Sequence, residues 1–126
     1  MTNILLLPQI RASFVVVSNG DWRDEIEFTQ APVSLLPLDI TGIAFHAQMR
    51  SAIRDAVIVL DMSTTNGKLQ NGGANGRLTW AVPADDLKQV SGDYVMDILA
   101  IADGMTINIC QKAGPAAITV NKGVTR

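Results

Sequence analysis

The side chains that could carry chemistry are few. The chain has one histidine, His46, one cysteine, Cys110, an adjacent carboxylate pair, Asp85 and Asp86, and two further aspartates of interest, Asp97 and Asp103. A hydrolytic triad needs a base beside a nucleophile, and a histidine-rich metal site needs several imidazoles on one centre. One histidine supplies neither. It falls beside Gln48 and Arg50 on the polar side of an alternating segment, which predicts a surface residue. Cys110 reads as a small core side chain, since unpaired cysteine is usually buried. Asp85 and Asp86 follow Pro83, where a helical start favours negative charge. Asp97 lies inside an apolar run and must face solvent or find a hydrogen-bond partner, a bound cation being the lesser reading.

Two other features invite a functional reading. The stretch 67–76, GKLQNGGANG, has the glycines of a phosphate cradle but not the Walker spacing, and no helix follows to hold an anion at its N-terminus. It reads as a flexible hairpin. Trp22 and Trp80 could stack on sugar rings, yet each falls on the apolar parity of its segment and is expected in the core. No nucleophile and base can be assembled from this inventory, so no enzyme activity, metal or cofactor is expected.

The elements that must position these residues are short and strand-like. Residues 94–101, YVMDILAI, form the most strand-like segment and are expected at the centre of the fold. Residues 43–50 alternate cleanly, with Ile43, Phe45, Ala47 and Met49 on one side. Residues 77–82 alternate again, with Leu78, Trp80 and Val82 inward. Further strands are predicted at 4–7, 11–18, 22–28, 56–62, 105–111 and 117–121, with at most two or three strand residues around Leu69. Asn19-Gly20 is a strong hairpin signal and predicts that 22–28 returns along 11–18. Two prolines in 30–42 make that stretch a connection between sheets. A turn is expected at Asp103-Gly104 and one helical turn at 83–87. The pattern predicts an all-β, two-sheet antiparallel β-sandwich of about 8–10 short strands with one short helical turn.

With 126 residues the chain fits one domain, 1–126, in which 1–19 is a possible N-terminal arm or exchanged strand. Hydrophobic residues make up 48% and charged residues 17%, a globular composition. The net charge is −2 and the ten basic residues are scattered, which argues against nucleic acid as a partner. No stretch approaches a membrane span, and the apolar run 4–7 is too short for a signal peptide. A single cysteine fits a reducing cytosol. Val57, Val59, Val95, Leu99 and Ile101 occupy the second faces of their strands. They are candidates for an assembly surface if they face outward, and for the core if they face the other sheet. Ile4, Leu5, Leu6 and Leu7 form the apolar part of the arm and are candidates for exchange with a neighbour.

Several motifs come in a recognisable order: Pro37-Leu38-Asp39-Ile40-Thr41-Gly42, a strand ending in Met49-Arg50, Gly76 before an alternating strand, Gly92-Asp93-Tyr94-Val95-Met96-Asp97-Ile98, and Val120 through Gly123-Val124-Thr125-Arg126. This order resembles a family of small tailed-bacteriophage and prophage tail or baseplate proteins, similar to the N-terminal Ig-like domain of lactococcal phage baseplate upper proteins. Met96 stands where that family often has an aromatic, and the arm before Gly20 is longer. Tyr94 suits a tyrosine corner, in which the hydroxyl bonds back to upstream backbone, as a sandwich needs physically. The resemblance implies an Ig-like sandwich. It also implies a structural or adaptor role in a phage tail, baseplate or fibre attachment, made in the host cytoplasm and carried in the virion tail. The implied partners are further copies of the chain, other tail proteins, or both. The alternative is a carbohydrate-binding module for a host surface glycan, which would need Trp22 and Trp80 exposed together.

Overall fold

In the computed structural model, which describes residues 2–110 and 114–124, nine strands pair into two sheets. They are β1 (Ser13–Val17), β2 (Glu25–Glu27), β3 (Ala44–Arg50), β4 (Leu60–Ser63), β5 (Leu69–Asn71), β6 (Arg77–Trp80), β7 (Gly92–Ala102), β8 (Met105–Asn108) and β9 (Ala116–Asn121). The larger sheet runs β1-β9-β7-β3-β4, with β8 also paired to β7, and the smaller runs β2-β6-β5. The protein is an all-β sandwich. Its strands sort as in Ig-like domains, with three early and middle strands in one sheet and the last hairpin beside β3 and β4 in the other.

The larger sheet is built on β7. Along one edge it pairs with the whole of β3, from Ala44↔Ile101 to Arg50↔Val95. Its other edge is shared end to end, β9 taking Gly92 to Met96 and β8 taking Leu99 to Ala102. The β7–β8 hairpin turns at Asp103-Gly104, whose φ values of 53° and 74° are the positive pair that a tight two-residue hairpin requires. At the start of β7 the Tyr94 hydroxyl donates to the Ser91 carbonyl at 2.6 Å, the tyrosine corner expected of a sandwich. Alternation buries Met96, Ile98 and Ala100 against the second sheet and turns Val95, Asp97, Leu99 and Ile101 to the outer side.

Several expectations are corrected. Asn19-Gly20 makes a turn but no hairpin, because the chain leaves β1 for the smaller sheet, where Trp22 bridges Val82 and only Glu25–Glu27 is strand. β1 instead pairs in parallel with β9, from Ser13↔Ala117 to Val17↔Asn121, so the sandwich is not wholly antiparallel. The crossing brings Phe14, Trp22 and Trp80 together between the sheets, with ring centroids 5.0–6.0 Å apart. The predicted strand 56–62 shortens to β4, because Asp55 captures the preceding chain. Its carboxylate accepts from Val57 N and its carbonyl from Arg50 Nη1. Residues 4–7 contain a 3₁₀ turn, Ile4–Leu6, and two more lie at Gly73–Asn75 and Ala84–Leu87, so the described residues hold three such turns where one is expected. Gln111, predicted at the end of β8, lies outside the described residues, as do Met1 of the arm and the Thr125 and Arg126 of the motif.

The core draws on both sheets. Phe45, Met49, Met62, Met96 and Ile98 come from the larger, and Leu69, Leu78 and Trp80 from the smaller, all at most 1% exposed. Phe28 and Phe45 stack across the gap with ring centroids 6.2 Å apart. Trp22 Nε1 donates to Asp24 at 2.7 Å, which accounts for the aspartate that breaks the apolar parity of its segment. The Trp80 indole N–H has no hydrogen-bond partner among the described residues, a penalty of about 1–3 kcal/mol that the packing of its ring must outweigh. The stretch 67–76, expected to be a flexible hairpin, is pinned. Asn71 Nδ2 donates to the Ile40 and Ile43 carbonyls, each at 2.8 Å, and Ile40 N donates to Gly73 O.

Gly76 has φ +71°, and a Cβ there would collide with the Phe28 carbonyl and lie 2.8 Å from Leu38 O. Gly104 has a similar φ of +74° but open space around it. Gly104→Ala should therefore cost only the left-handed backbone penalty, about 1–2 kcal/mol. Gly76→Ala should cost more than about 3 kcal/mol, because the backbone it strikes cannot yield. Urea melts of the two variants beside the parent check the order, and equal losses would mean that the Gly76 environment relaxes.

Candidate functional site

The outer face of the larger sheet is assembled by register. Successive cross-strand rows read Ser13, Ala117, Val95 and Arg50, then Asp97, Gln48 and Asp61, then Asn108, Leu99, His46 and Ser63, then Thr106, Ile101 and Ala44. Three of the five candidate assembly residues, Val95, Leu99 and Ile101, therefore form one stripe on β7 that faces away from the smaller sheet. Val57 is exposed in the irregular stretch before β4, and Val59 is half-buried against the core, its N–H bonded to Met49 O. The five do not form a single surface.

A hollow of about 500 Å³ opens on this face, lined by apolar Ile53, Val95, Leu99 and Pro115 and by polar His46, Gln48, Arg50 and Asp97. Its polar side is a connected chain. His46 Nε2 lies 2.6 Å from Asp61 Oδ1, Gln48 Nε2 reaches the same oxygen at 3.4 Å, and Arg50 Nη2 donates to Gln48 Oε1 at 2.8 Å. Arg50 Nη1 is held by Asp55 O, so the guanidinium is fixed beside the hollow. The His46 hydrogen bond holds the Asp61 carboxyl below its ordinary range, outweighing the opposing effect of burial, with the His46 charge, the Gln48 bond and the Lys68 charge adding to it.

The remaining candidates are structural. Asp85 and Asp86 sit in the turn after Pro83 and pair with Lys88 at 3.1 Å and Lys68 at 2.8 Å. Cys110 is fully buried, and desolvation pushes its thiol up, the opposite of what a nucleophile needs. Asp103 accepts from Thr2 N at 3.1 Å and from Thr2 Oγ1 at 2.8 Å, tying the arm to the β7–β8 hairpin. Ile4 is 1% exposed in the core of its own domain, while Leu5 and Leu6 stand in solvent and Leu7 is half-buried. Trp22 and Trp80 stack 6.0 Å apart and are at most 2% exposed, so neither ring can offer a face to a sugar. No group of three or more potential metal ligands occurs among the described residues.

Sequence reasoning places His46 on the surface but does not pair it with Asp61, since that requires the β3–β4 register. Ile53 and Pro115 enter the hollow from loops that carry no periodic signal. A different signal is legible and points elsewhere: Val33, Leu35 and Leu36 are aliphatic residues in a proline-bounded connection, with no strand to bury them, and they are among the most exposed side chains in the structure.

No family model matches the chain. A stretch of 65 residues, 52% of the chain, is 38% identical to part of outer membrane protein B of Rickettsia japonica. The chain spans 4% of the length of that protein.

The Asp61 arrangement has a defined pH sign. A carboxyl whose folded pKa is depressed stabilises the fold above its unfolded value and loses that contribution as pH falls through the folded one. The unfolded value is near 3.8, so the effect lies in the acid limb below it. The pair is largely solvent-exposed, which keeps the contribution under about 1 kcal/mol. Melting temperature measured from about pH 5 to pH 2 should fall less steeply for Asp61→Asn than for the parent. Identical slopes would mean that the short His46–Asp61 contact has no consequence for stability.

Proposed function

We propose that this domain is a non-enzymatic structural or adaptor module that works by protein–protein assembly through the outer face of its larger sheet. We further propose that it does so in the tail, baseplate or fibre attachment of a tailed bacteriophage or prophage, assembling in the host cytoplasm and residing in the virion tail. The observation that carries the assembly reading is the β7 stripe. Val95 and Leu99, both half-buried, line an open hollow on the outside of the sandwich and Ile101 continues the stripe beyond it, so the apolar surface they leave in water would gain from a partner. Around them stand an anchored arginine and a hydrogen-bonded polar chain, the composition of an interface core with its rim.

The placement in a phage tail draws on the motif resemblance at 37–42, 49–50, 92–98 and 120–126. The Tyr94 hydrogen bond to Ser91 O fits the sandwich fold that this reading shares with any Ig-like domain. The expected partners are further copies of the chain, other tail proteins, or both. A glycan-binding role has lost the exposed tryptophan pair that it requires.

Solution mass by light scattering across a dilution series tests the reading. The parent is expected to form an oligomer that dissociates on dilution. Leu99→Glu, which puts a charge in the stripe without entering the core, should weaken assembly roughly 30-fold or more at unchanged melting temperature. An oligomer indifferent to Leu99→Glu would remove this face from the assembly, and a parent monomeric at every concentration would remove self-assembly.

A further inference from the structure

We propose that Asn66-Gly67, in the turn between β4 and β5, is a self-modification site: in the folded chain Asn66 closes a succinimide with the Gly67 nitrogen and opens to aspartate or isoaspartate, while the fold holds the neighbouring Asn-Gly pairs out of reaction. The inference is independent of the assembly reading.

An asparagine followed by glycine can react with its own backbone, because the next nitrogen is close to the side-chain carbonyl carbon and the glycine has no Cβ to obstruct ring closure. The Gly67 nitrogen gives up its proton to water or hydroxide and attacks Asn66 Cγ, forming a C–N bond and a five-membered ring. The Cγ–Nδ2 bond breaks, and Nδ2 takes up a proton and departs as ammonia. Water then opens the ring. Addition at the former side-chain carbonyl gives aspartate, and addition at the main-chain carbonyl gives isoaspartate, in which the chain runs through the former side chain. The sum is amide plus water going to acid plus ammonia.

The chain has four Asn-Gly pairs, 19–20, 66–67, 71–72 and 75–76, and the fold treats them differently. Reaction needs the glycine nitrogen free to turn onto Cγ. Gly72 N is committed to Arg77 O at 2.8 Å and Gly76 N to Gly73 O at 3.1 Å. Asn71 is fixed further by its bonds to the Ile40 and Ile43 carbonyls and by Gly73 N on its Oδ1 at 2.7 Å, and Gly76 is hemmed in by the backbone of Phe28 and Leu38. Gly20 N donates to Val17 O at 3.3 Å, and the Asn19 side chain is packed against Gly123. Gly67 N has no hydrogen-bond partner among the described residues, and the space around its Cα is open.

The electrophile is prepared as well. Asn66 Oδ1 accepts from Ser63 N and from Lys68 N, each at 3.0 Å. Two N–H donors on the oxygen that turns negative as the ring closes are the arrangement of an oxyanion hole. Nδ2 donates to Asp61 O at 2.9 Å, which holds the amide in one orientation, and both Asn66 and Gly67 are exposed, so water reaches the ring. An aspartate at 66 can still accept from Ser63 and Lys68 but cannot donate to Asp61 O, and it sets a second carboxylate near the one that pairs with His46. Isoaspartate lengthens the turn that carries the chain from the larger sheet to the smaller. The modification therefore acts on the link between the sheets.

The full chain, folded and in urea, is incubated in mildly alkaline buffer, and each Asn-Gly peptide is followed by mass spectrometry, with an isoaspartyl methyltransferase reporting the isoaspartate product. In urea the four sites should react at similar rates. In the folded chain Asn66 should be the fastest of the four and stay within roughly threefold of its rate in urea, while Asn71 and Asn75 slow by roughly tenfold or more. Asn66 slowed as much as Asn71 and Asn75 would mean that its hydrogen bonds protect the amide instead of preparing it, and would overturn the inference. Equal rates at all four sites in the folded chain would overturn it too, since the turn would then select nothing. Conversion led by Asn19 would place the site at the other exposed turn and overturn the assignment to Asn66.

Discussion

The constraint on which the rest depends is the need to pair both edges of an eleven-residue central strand. A buried strand edge with unpaired N–H and C=O groups is costly, so a strand as long as β7 must be flanked along its whole length. β3 meets that need on one side without interruption. On the other side no single segment is long enough, and β8 and β9 divide the edge between them. The chain must then leave the sheet between β8 and β9 and re-enter it. Ile109, in that excursion, still donates to Ile98 O, and its carbonyl accepts from Ile10 N. The N-terminal segment is thus drawn alongside as the next layer of the sheet, and its parallel pairing with β9 follows from the direction in which β9 already runs.

This arrangement also decides where apolar surface remains. The smaller sheet has three short strands against six in the larger, and on the side of β7 that faces it Met96, Ile98 and Ala100 are at most 1% exposed. The opposite side has no sheet over it. From Tyr94 on, alternation along β7 is apolar on both parities except at Asp97, so burying Met96, Ile98 and Ala100 necessarily turns Val95, Leu99 and Ile101 outward. The outer stripe is a property of the strand's composition and of the sheet sizes together. A second full sheet over that face would have made it core, and none exists among the described residues.

The legibility of the fold follows the same division between local and tertiary information. Strands with one wet face, β3 and β6, are readable because period two is a local signal. β7 and β9 are readable from their β-branched runs and bounding turns, and the Asp103-Gly104 hairpin from its turn chemistry. The Asn19-Gly20 hairpin is a false lead for a physical reason. The dipeptide permits a tight reversal, but the aromatic residues that follow gain more by crossing to the other sheet, where Trp22 meets Trp80 and Phe14, than by returning beside β1. The β1–β9 pairing joins residues 104 positions apart, Ser13 with Ala117, and no local pattern announces it. Of the candidate site, the β7 stripe is legible as a set of positions, while its direction is not. That depends on which face the second sheet takes.

The connection 30–37 shows how an absence of regular structure can still carry information. Prolines exclude it from the sheets, and its internal hydrogen bonds satisfy the backbone that the sheets cannot. Polar side chains would serve such a loop equally well in an isolated domain, since nothing in its geometry requires Val33, Leu35 or Leu36 to be aliphatic. Their side chains make no contribution that folding alone would reward, yet the backbone holds them in one place. A rigid apolar projection and an open apolar hollow on the same chain are individually a liability for solubility.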